Sequence, residues 1–278
     1  MEPYWDSVEQ IIKESDIVLE ILDARMPDLS RNKKLEEMIE TMGRPRIFVI
    51  NKSDLVSKRE LEYAYEKLSR VPKAEIAYVT QKNRRTIKIL IARIKQVFSK
   101  YGKRKTFLES PIIKKPYREA KGDIIVGVVG YPNVGKSSII NALAFKNKMK
   151  VSSKAGTTHG IHWINAGSDI KLIDTPGVVP LGYKEEAKLG MISARGPEKI
   201  KDAEAVACKI VEMFIDNNKI RKLEEFYNIK FDDETNSVLI LEKIALAKGH
   251  LKKGGVPDET RTSVMLIRDW QNGKLKLK

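Results

Sequence analysis

Asn51-Lys52-Ser53-Asp54 comes before Gly130-Tyr131-Pro132-Asn133-Val134-Gly135-Lys136-Ser137 in this chain. The first is the pattern of a guanine-reading segment: its Asp accepts hydrogen bonds from the ring N1 and the exocyclic amine, a donor pair that adenine lacks. The second is a phosphate loop. It follows the apolar run Ile124–Val129 and opens a helical run with Ile139, Ile140 and Leu143, the strand–loop–helix setting that the motif requires. In ordinary guanine-nucleotide folds the phosphate loop comes first. The inverted order predicts the same kind of sheet cut and rejoined at a different connection, a circular permutation.

Each motif assigns roles by chemistry. Glycines let the loop amides of Tyr131, Pro132, Asn133, Val134, Gly135 and Ser138 wrap around phosphates, except that Pro132 has no N–H to give. Lys136 is expected to reach the β- and γ-phosphates, and the Ser137 hydroxyl to reach Mg²⁺. Asp174-Thr175-Pro176-Gly177 follows the strand Ile170–Ile173 and reads as a Walker-B Asp holding Mg²⁺, then a Gly whose N–H senses the γ-phosphate. Ala155-Gly156-Thr157-Thr158 lies between these motifs, where a switch threonine belongs; Thr158 is preferred over Thr157 as the Mg²⁺ ligand. The catalytic set read this way is Lys136, Thr158 and Gly177. Thr80-Gln81, after the strand 75–79, stands where a loop amide would touch the guanine O6. GTP or GDP with Mg²⁺ is the expected ligand set.

The net charge of +15 is concentrated. Residues 82–122 hold fourteen Lys and Arg against two acids, a surplus of twelve. Part of this run is an amphipathic helix with Ile87, Leu90, Ile91, Ile94, Val97 and Phe98 on its inner stripe. The plain reading of such a charge run is a solvated helix face. The surplus exceeds what solubility needs and points to a polyanion, RNA before membrane, with Arg84, Arg85, Lys103, Arg104 and Lys105 as contacts. No apolar run reaches the length of a membrane span. The first residues lack the basic and apolar regions of a signal peptide, and the single Cys208 suits a reducing compartment, so a cytoplasmic, monomeric protein is expected.

Alternating strand and helix signals predict a doubly wound parallel sheet. Strands are expected at 16–22, 46–50, 75–79, 124–129 and 170–173. Helices are expected at 34–42, with Leu35, Met38, Ile39 and Met42 inward, and at 58–68, with Leu61, Ala64, Tyr65 and Leu68 inward. Residues 99–122 read as a linker joining the two halves. After residue 178 helices dominate, at 203–214, 238–247 and 260–270, with Lys248-Gly249 as a left-handed cap. The expected architecture is α/β: a circularly permuted P-loop GTPase sheet over residues 1–180, followed by a smaller, mostly helical domain over 181–278.

With these motifs assembled, the sequence resembles the circularly permuted GTPases of large ribosomal subunit assembly along nearly its whole length. Asp23-Ala24-Arg25-Met26-Pro27 matches that family's D-A-R-x-P element, residues 130–137 its phosphate loop, and Asp174–Gly177 with Pro180 its switch region. Residues 248–255 and Leu266-Ile267-Arg268-Asp269-Trp270 resemble its helical RNA-contacting domain, which adds Lys252 and Lys253 to the candidate RNA contacts. The resemblance implies GTP hydrolysis, with rRNA and the large-subunit precursor as partners. The W-F-P-G-H segment of many bacterial members does not occur in this sequence, and Val178 stands where other GTPases place a water-orienting Gln. In related GTPases an Asn at the position of Asn133 ligates a K⁺ ion that plays the part of an arginine finger, so the resemblance implies a K⁺ site and adds Asn133 to the catalytic set; a turn role for Asn133 is the alternative. His159 and His162 flank the switch threonine, and Arg25 reads as a structural ion-pair partner. Two rival readings are a GTP-gated RNA-binding module with negligible turnover and a tRNA-modification GTPase.

Overall fold

The computed structural model describes residues 3–103, 123–144, 162–167, 169–174, 190–191, 196–232 and 236–278. Thr158, Gly177, Val178, His159, Arg104 and Lys105 lie outside these described residues. The chain divides into two compact units, one of Met1–Asp54 with Lys58–Val178, the other of Leu55–Ser57 with Val179–Lys278.

The larger unit is built on a six-stranded sheet in the order β3-β2-β1-β4-β6-β5. The strands are β1 (Ile17–Asp23), β2 (Arg46–Asn51), β3 (Ala74–Tyr78), β4 (Ile124–Val129), β5 (His162–Asn165) and β6 (Ile170–Asp174). All neighbours run parallel except β5, which is antiparallel to β6. Every residue of β1, β2 and β4 is buried, so both sheet faces are covered. That is why these strands read as continuous apolar runs rather than alternating ones.

Helix α1 (Pro3–Glu14) and helix α3 (Lys33–Thr41) share one core with the sheet. Trp5, Val8, Ile11 and Ile12 meet Val18, Leu35, Ile39, Ile125, Val129 and Ile173 there. A four-residue helix α2 (Pro27–Ser30) follows β1. Helix α4 (Lys58–Ser69) packs on β3, while α5 (Arg84–Tyr101) and α6 (Lys136–Leu143) pack on each other and on the sheet. Neither α1 nor β5 is among the elements expected from sequence. Tyr65, expected inward, is 48 % exposed and lies 6.4 Å from the Tyr78 ring; Ala64 and Leu68 carry the buried face of α4.

The second unit is helical among its described residues: α7 (Ala203–Asp216), α8 (Ile220–Tyr227), α9 (Ser237–Ala247) and α10 (Glu259–Gln271). Three of these have side-chain N-caps. Asp202 accepts from Ala205 N–H, Asn236 from Leu239 N–H and Asp258 from Arg261 N–H, satisfying first-turn amides that the helix itself leaves open. Phe214 and Trp270 meet edge to face at 5.9 Å in its core, and the Trp270 indole N–H donates to Met191 O at 2.9 Å. Gly249 has the left-handed φ of +65° that the cap after α9 requires.

A fully buried carboxyl lies in the middle of the sheet. Glu20 on β1 has no exposed surface. Arg46 Nη1 lies 3.5 Å from Glu20 and 3.4 Å from Glu36, and Arg31 forks onto Glu36 with two hydrogen bonds of 2.7 Å. Burial, and then the nearby Glu36 charge, push the Glu20 carboxyl up to about 8 against the pull of Arg46. A carboxyl whose folded pKa is raised gives stability that is complete below its unfolded pKa of 4.5 and lost as pH rises toward 8. Glu20→Gln cannot ionise. Its stability advantage over the parent is expected to widen across that window to as much as roughly 5 kcal/mol, read as denaturation midpoints at successive pH values.

Candidate nucleotide-binding site

The chain runs outward along β1, β2 and β3, returns to the middle of the sheet at β4, then crosses to the other edge at β5 and turns back into β6 beside β4. The switch point therefore lies between β1 and β4. Open α/β sheets bind ligands outside the carboxyl ends of such strands. Asp23, Asn51 and Gly130 stand at the ends of β1, β2 and β4, and Asp174 ends β6 with its backbone in register with Val128.

Asn51 connects the base-reading segment to the phosphate loop. Its side-chain Nδ2 donates to the Val134 carbonyl at 2.8 Å, across 83 positions of sequence, and the residue is 2 % exposed. Gly135 lies against it: a Cβ there would sit 2.1 Å from Asn51 Nδ2, and its φ is +103°. Gly130 is constrained in the same way, with a hypothetical Cβ only 2.7 Å from Ile21 O and φ +138°. Both glycines are thus required by packing as well as by backbone conformation.

Lys136 opens α6 and is 5 % exposed. Its ammonium donates to the Gly130 and Tyr131 carbonyls, each at 2.8 Å, which folds it back over the loop. Tyr131 and Val134 are buried, Pro132, Gly135 and Ser138 are half-buried, and Asn133 and Ser137 are exposed. Asn133 has φ +58°, so it takes the left-handed turn conformation that Asn tolerates. The loop therefore has the cradle that a polyphosphate fits: left-handed glycines without room for a side chain, a helix start and a buried lysine. Of the proposed Mg²⁺ ligands, Ser137 stands in the first turn of α6 and the backbone of Asp174 is described; Thr158 is not among the described residues.

At the base-reading end, Asp54 accepts the Thr80 hydroxyl at 2.7 Å and the Lys82 ammonium at 2.5 Å. Burial opposes ionisation of its carboxyl, but the bonds from Lys82 and Thr80 hold it below the usual range. Thr80 is 8 % exposed and pinned by Thr86, whose hydroxyl accepts from Thr80 N–H at 3.1 Å. Gln81 is exposed and forms no side-chain hydrogen bond among the described residues, whereas the neighbouring Lys82 does. Sequence reasoning placed Lys82 in this loop and in the charge run but missed its pairing with Asp54. Lys52 Nζ donates to Asp23 at 2.8 Å, and Arg25 forks onto the same carboxylate, so Arg25 is an ion-pair partner as expected.

The charge surplus of 82–122 is partly neutralised by acids elsewhere in the sequence. Besides Lys82 with Asp54, Arg93 and Lys100 pair with Glu75, and Lys95 pairs with Asp169. Arg85 and Lys88 are exposed and form no ion pair among the described residues. In the second unit, Lys252 and Lys253 lie on an exposed turn closed by the Leu251–Pro257 bridge. Gly254 and Gly255 carry positive φ in that turn.

Comparison with known proteins decides the family. A sequence profile described as "50S ribosome-binding GTPase" matches residues 125–243. Ribosome biogenesis GTPase A of Bacillus cereus is 30 % identical over 96 % of this chain and 86 % of its own length. The chain belongs to this family of circularly permuted ribosome-biogenesis GTPases. An uncharacterized GTP-binding protein of Methanocaldococcus jannaschii is 38 % identical over 98 % of the chain, which spans 66 % of that relative's length. The GNP-bound crystal structure of YlqF from T. maritima shares the family fold, with a TM-score of 0.61 at 20 % identity over 99 % of this chain and 96 % of that one.

Gly135→Ala is expected to break the Asn51–Val134 bond and to weaken GDP binding by roughly 100-fold, since it adds a clash to a strained backbone. Titration with a fluorescent GDP checks this against the parent.

Proposed function

We propose that this chain binds GTP in preference to ATP, hydrolyses it slowly, and acts as a nucleotide-controlled factor in assembly of the large ribosomal subunit. One observation carries the nucleotide reading: the bond from Asn51 to Val134, which brings the guanine-reading segment and the phosphate loop into one site. Family membership supports the ribosomal setting. Relatives named for ribosome biogenesis match almost the whole chain.

In this reading Asp54 takes the guanine N1–H and amine once the base displaces Lys82. The amides of Tyr131 and of residues 133–138 and the Lys136 ammonium receive the phosphates, and Ser137, Thr158 and Asp174 would hold Mg²⁺. Lys136 exchanges two backbone carbonyls for phosphate oxygens, so it changes partners and stays satisfied throughout. Thr158 and Gly177 sense the γ-phosphate. The Val178 side chain offers no hydrogen bond to water; Asn133 would hold a K⁺ ion, which would supply positive charge beside the phosphates. No helix among the described residues is long and apolar enough to cross a membrane; the protein acts as a monomer in the cytoplasm. Arg84, Arg85, Lys103, Arg104 and Lys105, with the Lys252–Lys253 turn, meet rRNA on the large-subunit precursor.

The nucleotide assignment is tested by competition of GTP, GDP, ATP and xanthosine nucleotides for the site. GTP is expected to exceed ATP by several kcal/mol, because adenine leaves Asp54 unpaired. Asp54→Asn is expected to shift preference toward xanthosine nucleotides. Equal affinity of the parent for GTP and ATP would remove the assignment. Turnover on the order of 10⁻³ s⁻¹ or less is expected without the ribosomal particle, as for a GTPase without its arginine finger. It should be faster in K⁺ than in Na⁺, and equal rates would dismiss the role of Asn133.

The RNA reading is tested by the salt dependence of binding to large-subunit rRNA. Replacing Lys252 and Lys253 by Glu is expected to reduce the log–log slope by about 1.4–1.8, because each phosphate that a lysine neutralises adds about 0.7–0.9 to it. An unchanged slope would place the RNA-binding surface elsewhere.

A further inference from the structure

Asp23 ends β1 with no exposed side-chain surface, and four donors converge on its carboxylate. Arg25 gives its backbone N–H at 3.1 Å, Nε at 2.9 Å and Nη2 at 2.8 Å; Lys52 gives its ammonium at 2.8 Å. Burial alone would raise the carboxyl pKa, but the Arg25 guanidinium and the Lys52 ammonium hold it well below the usual carboxylate range.

The surrounding backbone fixes this cluster on two sides. Asp23 is in register with Asn51 on β2, and Ala24 N–H donates to the Asn51 carbonyl at 2.9 Å. The Ser30 hydroxyl accepts from Asp23 N–H at 3.1 Å and lies 3.0 Å from the Met26 and Pro27 carbonyls. Residues 23–30 are thereby folded back on the end of β1. Lys52 follows Asn51 with φ +59°, a left-handed conformation that costs free energy for a residue with a side chain. A flexible lysine in a strained backbone needs an external restraint to hold one geometry, and the Asp23 carboxylate supplies one.

We propose that Asp23 is a positioning residue for the guanine site: through its ion pair with Lys52 it holds the Asn51–Asp54 segment in the conformation that reads the base. Arg25 serves this indirectly. It pairs the same carboxylate on its other side, so the anion stays charged in a fully buried place. This assigns a task to the Asp23-Ala24-Arg25-Met26-Pro27 element that its sequence alone does not reveal: it sets the shape of a binding segment 29 positions away and touches no nucleotide itself.

The inference rests on the guanine reading above, and a double-mutant cycle separates the two. GDP affinity, GTP turnover and unfolding of the nucleotide-free protein are measured for the parent, Asp23→Asn, Lys52→Met and the double variant. Asp23→Asn is expected to weaken GDP binding by about ten- to a hundredfold. KM should rise with kcat little changed, because Lys136 and the phosphate loop are untouched. The double variant should bind GDP no more weakly than Lys52→Met alone, since the two side chains act as one unit. Asp23→Glu keeps the charge but displaces it by one methylene; it gives the same readout should the Asn variant not fold.

Two results overturn the proposal. One is unchanged GDP affinity in folded Asp23→Asn or Asp23→Glu, which would leave Asp23 a role in stability alone. The other is multiplication of the Asp23 and Lys52 effects in the double variant. A parent protein that fails to bind GDP at all would instead overturn the guanine reading on which the proposal stands.

Discussion

The hydrogen bond from Asn51 Nδ2 to the Val134 carbonyl is the interaction on which the nucleotide site depends. It joins two segments that the permuted chain order places far apart, and it dictates what surrounds it. Gly135 must lack a side chain because the amide occupies that space. The carbonyl it captures belongs to a loop that otherwise turns inward around a buried lysine. The sheet supplies the precision: parallel pairing of β1 with both β2 and β4 sets the two strand ends side by side. Cutting the fold at another connection changes neither the pairing nor the site, because strand neighbours and not chain order determine where the loops converge.

Much of this was legible in the sequence, for identifiable reasons. Strands buried on both faces announce themselves as apolar runs, so β1, β2 and β4 are readable within a residue or two. Helix α5 is readable because Ile87, Leu90, Ile94 and Val97 recur at helical spacing. The four-residue β5 has too few positions to show a period, and the sequence around α1 draws attention only as a chain terminus. Tyr65 misled because its spacing fits the inner stripe, whereas its ring lies exposed beside Tyr78.

Side-chain partnerships were harder to read. Asp23 and Lys52, Asp54 and Lys82, Lys95 and Asp169 pair between elements separated in sequence. Composition counts such charges as a surplus, whereas the fold uses several of them locally. An Asp-x-Arg at the carboxyl end of a buried strand is the one signal that points toward such a cluster. It does not say which third residue completes it. The buried Glu20 is similar: its position in an apolar run shows that it is enclosed, but only the fold brings Arg46 and Glu36 to it.

The second unit is not one continuous stretch of chain. Leu55–Ser57 belong to it, directly after Asp54. The Leu277 amide donates to the Leu55 carbonyl at 3.2 Å, and the Leu55 side chain lies against Gly273. Leu55, Leu275 and Leu277 are all nearly without exposed surface. A fragment beginning at residue 179 would therefore lack part of its own core, and its final residues would be without the partner that holds them. Expressing the helical half alone, to study what it binds, calls for a short replacement segment covering Leu55, or for polar substitutions at Leu275 and Leu277 that remove the greasy edge it would otherwise leave.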